Sequence, residues 1–343
     1  MTIGVNTGST LSASQIRNEF GASAPNNGVS LGNYRLGEFD VGELTNLPLD
    51  EGVPRSGAIK MSDFSQKSLN VIVKMPGGQF HVNAKTGYNN NNVTVVGGFR
   101  GKKQGGSKII IFCNKKLGAE QNPGHNTPQT RCALRTGTWS SPTHVHVILG
   151  GEANLRGSGG KGGDGKNNNS GSAQAGAPGS SGLGIQHEGT LITLRSGSQI
   201  VRGSGGGGGG GHATETSKNT RQASGGGGGG GAGFPPATGG EPGTNGSNGA
   251  HGETASETAG GEGGNGGNND NEAIGGRGGN GGSVNGGNGD GAGGGSGNGR
   301  GEGESEGGSG GEGGAAIRKS VGHFHIISNS GTITGSTSRT GVS

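Results

Sequence analysis

This 343-residue chain has few of the residues that usually build a protein interior. Only 24% of it is hydrophobic and 3% aromatic, well short of an ordinary globular composition. No run of about 18 apolar residues is present, which excludes a membrane-spanning helix of the usual kind. Proline is sparse at 11 residues and Gly-Gly pairs are common, which excludes collagen, with its strict Gly-X-Y repeat and abundant proline. The two cysteines, Cys113 and Cys132, cannot form a structural zinc site alone. In a reducing compartment they read as free thiols, with a disulfide between them as the alternative. The start, Met1-Thr2-Ile3-Gly4, lacks the charged-then-apolar form of a signal peptide, so synthesis and assembly are expected in a cytoplasm.

Catalytic signatures are also missing. No Gly-x-Ser-x-Gly elbow sits at a strand-to-helix turn. Gly160-Lys161-Gly162 and Gly165-Lys166-Asn167 both fail as phosphate loops. No helix follows any glycine cluster, as dinucleotide binding requires. Gly286-Gly287-Asn288-Gly289-Asp290 is out of phase for a calcium β-roll. The expectation is a protein that is not an enzyme and carries no cofactor. The formal net charge is +4, and residues 1–166 hold 18 of the 27 Lys/Arg but only 10 of the 23 Asp/Glu. That basic front and mildly acidic back is too weak to argue nucleic-acid binding.

Glycine is what the chain has in abundance, 90 residues of it, concentrated in 203–314. Two bare runs, 205–211 and 225–231, lead into triplets such as Gly275-Gly276-Arg277 and Gly278-Gly279-Asn280. Such tracts are usually flexible coil. Here the runs are broken by short, varied inserts, and apolar strands precede and follow the tract. The ordered alternative is a bundle of polyglycine II helices, with three residues per turn and no hydrogen bonds within a helix. Backbone groups would then pair between helices, and Gly-Gly-X writing would place X outside. X is Asn, Ser, Arg, Asp or Glu, which suits a solvated surface.

Three further regions are expected. Residues 1–66 read as a small module. Ser12 is an N-cap with Gln15 completing a capping box, Ile16 and Phe20 share a face, and Gly21 ends the helix. A second turn closes at Ser62-Asp63-Phe64. Residues 67–149 read as a β-rich, β-sandwich-like domain of short β-branched runs with turn signals between, and Trp139 in its core or at an interface. Residues 150–343 read as the glycine-rich polyglycine II domain, closed by a C-terminal β-hairpin. A repeat crosses the last boundary: Leu149 to Leu155, Leu194 to Ile200 and Ile327 to Ile333 each span six residues and lead to glycine. These strands are expected in adjacent rungs, as a platform beneath the glycine helices. The fold class is therefore mainly β and polyglycine II.

The pieces Leu11-Ser12-Ala13-Ser14-Gln15-Ile16 and Ser56-Gly57-Ala58-Ile59-Lys60-Met61-Ser62-Asp63-Phe64 resemble a recurring pair of segments in tailed-phage virion proteins, often tail or fibre proteins. Together with the glycine runs across 157–314, the chain resembles phage tail-fibre-tip adhesins. In those, a sandwich of polyglycine II helices presents variable loops to the bacterial surface. Such adhesins often lack a module like 1–66, so this chain is expected to carry its own attachment piece. The resemblance implies a virion protein assembled in the host cytoplasm and a partnership with another virion or tail-fibre protein. It also implies a host surface receptor, either an outer-membrane protein or a polysaccharide, and allows a homo-oligomer such as a trimer. No nucleic-acid partner and no membrane insertion are expected. A non-adhesive virion or decoration protein, with the glycine bundle as spacer, is the alternative. An ice-binding glycine bundle would want a regular Thr/Ala face that the irregular inserts do not provide.

Recognition would fall to the inserts, since loops on rigid scaffolds usually carry it. The candidates are His212, Lys218 and Arg221 in insert 212–224, Phe234, Pro235 and Pro236 in 234–242, and His251 in 251–257. The first two inserts are expected to gather at the end of the bundle remote from 1–66. Two His-x-His pairs, His144/His146 and His323/His325, would offer nitrogens to a transition metal on the axis of a trimer. As surface or ladder histidines they need no metal.

Overall fold

The computed structural model describes residues 11–13, 15–16, 31, 57–65, 71–75, 77–78, 82–84, 94–96, 109–119, 131–139, 144–168, 170–216, 220–270, 272–285, 289–299 and 303–342. In the first module, the Ser12 amide donates to Gln15 Oε1 at 2.8 Å and the Gln15 amide donates to Ser12 Oγ at 3.2 Å. That is the reciprocal capping expected of this Ser-x-x-Gln. Ile16 and Phe64 are fully buried, and Met61–Phe64 forms a 3-10 turn. Phe20 and Gly21 lie outside the described residues.

Strands fill the rest. β1 (Val71–Lys74), β2 (Val82–Asn83) and β3 (Thr94–Val96) come first. Next come β4 (Ile109–Cys113), β5 (Lys116–Gly118) and β6 (Cys132–Arg135), then β7 (Val145–Leu149), β8 (Asn154–Arg156) and β9 (Ser181–Ile185). β10 (Thr190–Leu194) and β11 (Gln199–Val201) precede the glycine tract. The tract holds the short β12 (Ala213–Glu215), β13 (Arg221–Ala223), β14 (Asn268–Asn269), β15 (Ala273–Ile274) and β16 (Asn298–Gly299). β17 (Ile317–Lys319), β18 (His325–Asn329), β19 (Thr332–Thr334) and β20 (Arg339–Thr340) follow it.

These strands form three mainly parallel sheets ordered β18-β10-β7-β4-β1-β3, β19-β11-β8-β5 and β2-β6-β9-β17-β20. Each passage of the chain adds one strand to each sheet in turn. The result is a parallel β-solenoid, whose rungs include β4-β5-β6, β7-β8-β9, β10-β11-β17 and β18-β19-β20. Register aligns like residues into rows: Val73, Ile111, Val147, Ile192 and Ile327 on one face, and Leu117, Leu155, Ile200 and Ile333 on another. Trp139 is buried in the same core, its Nε1–H donating to the Thr136 carbonyl at 2.8 Å. Both cysteines are buried free thiols, and burial pushes Cys113 up to about 11 and Cys132 up to about 12.

Two expectations change. The strands of 67–149 are not β-sandwich-like: β4 pairs in parallel with both β1 and β7, so its sheet runs across residue 149. The apolar runs belong to a coil that needs neighbours from both sides of that position. The expected stacking of Leu155, Ile200 and Ile333 is found, but Ile327 aligns with Ile192, while Leu194 faces Asn329. The corner between β18 and β19 has two residues where that between β10 and β11 has four, which offsets the simple six-residue count.

The glycine-rich tract leaves the solenoid at one corner. Residues 157–180 are inserted between β8 and β9, and 202–316 between β11 and β17, at the same place in consecutive rungs. Ten extended segments result: 157–166, 173–180, 203–211, 224–232, 237–243, 249–255, 260–267, 275–283, 289–297 and 305–314.

Candidate functional site

The site is built on a backbone lattice. In segment 203–211 the hydrogen-bond partner rotates with a period of three. Gly205, Gly208 and Gly211 donate to Gly289, Ala292 and Gly295; Gly206 and Gly209 donate to Ala177 and Gln174; Gly207 and Gly210 donate to Gly229 and Gly226. The carbonyls follow the same rule, accepting from 157–166, 275–283 and 305–314. All nine residues donate and all nine accept, so this segment is ringed by six others. Segment 224–232 is saturated in the same way and is also ringed by six.

Those two segments contain the two bare glycine runs, and the geometry explains why. A Cβ at any of residues 205–211 would lie 1.9–2.1 Å from a carbonyl oxygen of a neighbouring segment, so no rotation leaves room for a side chain. Each Cα–H therefore points at a carbonyl. Per residue, one hydrogen bond of about 0.5–1.5 kcal/mol and one such contact of about 0.5–1 kcal/mol match an ordering cost of about 1–2 kcal/mol. In the outer segments the third residue turns outward, where Arg277, Asn280, Glu262 and Glu306 are exposed. Some of these side chains close the edges: Asn280 Oδ1 accepts from the Gly263 amide, and Asp290 Oδ1 from the Gly313 amide.

The segments have two ends. Residues 157, 180, 203 and 314 adjoin the solenoid. At the opposite, distal end lie the described residues of five connections: 167–168 and 170–172, 212–216 and 220–223, 244–248, 268–270 and 272–274, and 298–299 with 303–304. They interlock. Asn167 Oδ1 accepts from the Thr244 amide at 2.5 Å, and Asn245 Nδ2 donates to the Asn167 carbonyl. Ser247 Oγ donates to the Asn268 carbonyl, and Asn269 Nδ2 to the Gln222 carbonyl. β15 pairs with β14 and β16, and the Thr214 amide donates to the Gly303 carbonyl. Ala213, Ala223 and Ala273 form a small core beneath. Asp270, at the tip of 268–274, has φ 51°, a left-handed conformation that non-glycine residues adopt sparingly. The exposed residues of this cap include Asn167, Thr216, Thr244, Asn245, Asn268, Asp270, Ile274, Asn298 and Glu304.

The predicted site residues scatter. Arg221 lies in the cap, paired with Asp270 at 3.6 Å and with Glu272. His212 lies beneath the cap, fully buried, with its amide donating to Ser305 Oγ at 2.7 Å, and burial lowers its pKa. Lys218 falls outside the described residues. His251 is exposed on the bundle flank, its Nδ1 3.1 Å from Glu241 Oε2. Phe234, Pro235 and Pro236 do not join His212. Segment 224–232 runs antiparallel to 203–211, so its far connection returns to the solenoid. There Lys116 Nζ sits 3.9 Å from the Phe234 ring centroid and 2.6 Å from Glu257 Oε1. Arg156 Nη1 also reaches Glu257. Phe234 thus pins the bundle to the solenoid.

The histidine pairs also part. His144 is exposed before β7, and His146 Nε2 is 2.8 Å from Thr193 Oγ1. His146 pairs in register with Leu191 and His325 with Thr190, so the two alternate in direction across the sheet. His323 is half-buried just before β18. Among the described residues no group of three or more His, Cys, Asp or Glu is placed to hold a metal.

No family model matches the sequence, and no curated protein is similar to it. Among solved structures, the gp37–gp38 adhesin tip complex of the bacteriophage S16 long tail fibre is similar with a TM-score of 0.38 and 19% identity. The match covers 82% of this chain and 87% of that one.

Proposed function

We propose that this chain is the receptor-binding adhesin at the tip of a tailed-phage fibre, and that its ten glycine-rich segments are polyglycine II helices. The three-residue rotation of hydrogen-bond partners supports the helix assignment. One observation carries the function. Five loops of varied sequence are gathered and interlocked at the end of the bundle away from the solenoid, on a mount whose central segments are held by backbone alone. A lattice of this kind fixes the loops in position while leaving their residues free to differ, as a recognition surface requires. The resemblance of 11–16 and 56–64 to virion segments supports placing the protein in a virion, joined to another fibre protein and facing a host surface receptor.

The test is host adsorption by phage carrying Ile274→Lys with Asn298→Lys. Both residues are exposed in the distal cap, so the fold is expected to survive. Adsorption is expected to fall at least about tenfold, the equivalent of about 1.4 kcal/mol of binding. Adsorption at the parental rate, with folded protein in the particles, would favour the spacer reading.

A further inference from the structure

One groove on the flank of the bundle has its backbone hydrogen bonds left open. Elsewhere, outward amides of the outer segments are closed by side-chain oxygens of the neighbouring segment. Gly260 and Gly263 donate to Ser283 Oγ and Asn280 Oδ1, and Glu241 and Thr244 donate to Asp164 Oδ1 and Asn167 Oδ1. Segments 289–297 and 305–314 begin in the same way, with Gly313 donating to Asp290 Oδ1. They run antiparallel, Gly291 donating to Gly311 and Gly294 to Gly308. One triplet further on, Gly310 therefore comes opposite residue 293, and then Gly307 opposite 296. Residue 293 is an exposed glycine. Among the described residues, the Gly310 and Gly307 amides donate to no other group. The facing wall offers acceptors. In 203–211 a residue sends its amide and its carbonyl to two segments that touch each other: Gly206 donates to Ala177 and accepts from Gly311. The amides of Gly291 and Gly294 go to 305–314, so the same rule turns their carbonyls into the groove beside it. Among the described residues, neither carbonyl accepts a hydrogen bond. A Cβ at Gly293 would meet nothing nearer than 3.6 Å, so no contact within the chain requires glycine there.

We infer that this groove takes an extended, glycine-rich, basic segment of another polypeptide as an eleventh member of the lattice. The walls dictate that chemistry. Donors and acceptors recur every three residues, on opposite sides of the groove. A β-strand repeats every two residues and matches neither row. A polyproline II backbone repeats every three and has all its own groups unpaired, so it accepts from Gly307 and Gly310 while donating to Gly291 and Gly294. Main-chain pairing of this kind is how a strand is added to an open sheet edge. Proline would forfeit the donors, and side chains turned to the walls would strike carbonyls as they would in 205–211. Glycine is therefore needed at the positions facing the groove. Asp290 and Glu306, both exposed, lie on the two segments that form it, which favours basic residues at the outward positions. The inference rests on the polyglycine II reading of the segments. It concerns the flank of the bundle, apart from the distal loops.

The test titrates the full chain into fluorescein-labelled peptides of repeated Gly-Gly-Lys and, at equal length and charge, repeated Ala-Ala-Lys, read by fluorescence anisotropy. Amide hydrogen exchange is followed in parallel. The glycine peptide is expected to bind at least tenfold more tightly than the alanine peptide and to slow exchange in 305–311. Gly293→Asn would set a side-chain oxygen opposite the Gly310 amide, as Asn280 does for Gly263. It is expected to weaken the glycine peptide at least tenfold while leaving urea unfolding as in the wild type. Equal binding of the two peptides, or binding unchanged by Gly293→Asn, would show attraction by charge alone and overturn the inference, as would no binding. A dimer that Gly293→Asn dissolves, with no peptide bound, would give this face to a second copy and also overturn it. Rapid exchange throughout 203–211 would instead sink the polyglycine II reading and this inference with it.

Discussion

The solenoid and the glycine bundle reach burial by opposite means. In the solenoid, side chains are the filling: rows such as Ile111, Val147 and Ile192 stack at strand spacing and hide apolar surface from water. In the bundle the backbone is the filling, and Gly203 to Gly211 are fully buried without a single large side chain among them. A side-chain core can be damaged by loss, because removed carbons leave a cavity, as well as by gain. A backbone core has nothing to lose and no room to gain. The two regions should therefore answer opposite mutations.

A large effect is expected from adding one carbon at the lattice centre. In Gly208→Ala, the new Cβ would sit 1.9 Å from the Gly308 carbonyl oxygen. Overpacking typically costs about 1–3 kcal/mol, and here only backbone is available to yield, so the loss should reach or exceed the top of that range in urea unfolding. Gly293→Ala is the control. Its Cβ would meet nothing nearer than 3.6 Å, and reduced unfolded-chain entropy should leave stability unchanged or raised by about 0.4–1 kcal/mol. Equal effects at the two positions would break the comparison.

In the solenoid, Leu194→Ala should cost about 2–5 kcal/mol, since Leu194 is buried in the core beside Leu149. Leu194→Asp should be worse, because it buries a charge. Thermal melts of both variants would show it.

Much of this was legible in the residues. The Ser12/Gln15 capping pair, the β-branched runs that became β1, β4 and β7, and the stacking of Leu155 on Ile200 were all readable, because side-chain pattern encodes them. β9 was not. Ser181-Gly182-Leu183-Gly184-Ile185 was not singled out within the glycine-rich region, and its strand state is set by β6 and β17 on either side. The misplaced Phe234 has a similar cause. Phe234 follows a bare run just as His212 does, and local sequence cannot tell which end of a bundle a connection occupies. Counting antiparallel reversals could have told it: the connection after 203–211 is distal, and the next returns.

Smaller effects are expected where the two regions touch. Lys116→Ala or Glu257→Ala should cost at most about 1 kcal/mol, as the pair is substantially exposed, and added salt should erase the difference between variant and wild type. Acid should weaken the cap slightly. Burial holds the folded His212 pKa below its ordinary value near 6.5, so the unfolded chain takes up a proton first. Stability is then full above about pH 6.5 and declines as the pH falls through the folded pKa. His212→Gln should flatten that part of the profile in urea titrations at pH 7.5 and 5.5.

The central claim is that hydrogen bonds between glycine segments form a true core, and amide hydrogen exchange read by mass spectrometry tests it most directly. Peptides covering 203–211 and 224–232, where every amide donates to backbone outside its own segment, should exchange as slowly as β4 in the solenoid, over hours or longer. Exchange complete within seconds across both segments, with β4 still protected, would show that the bundle is not held by its backbone and would contradict the account.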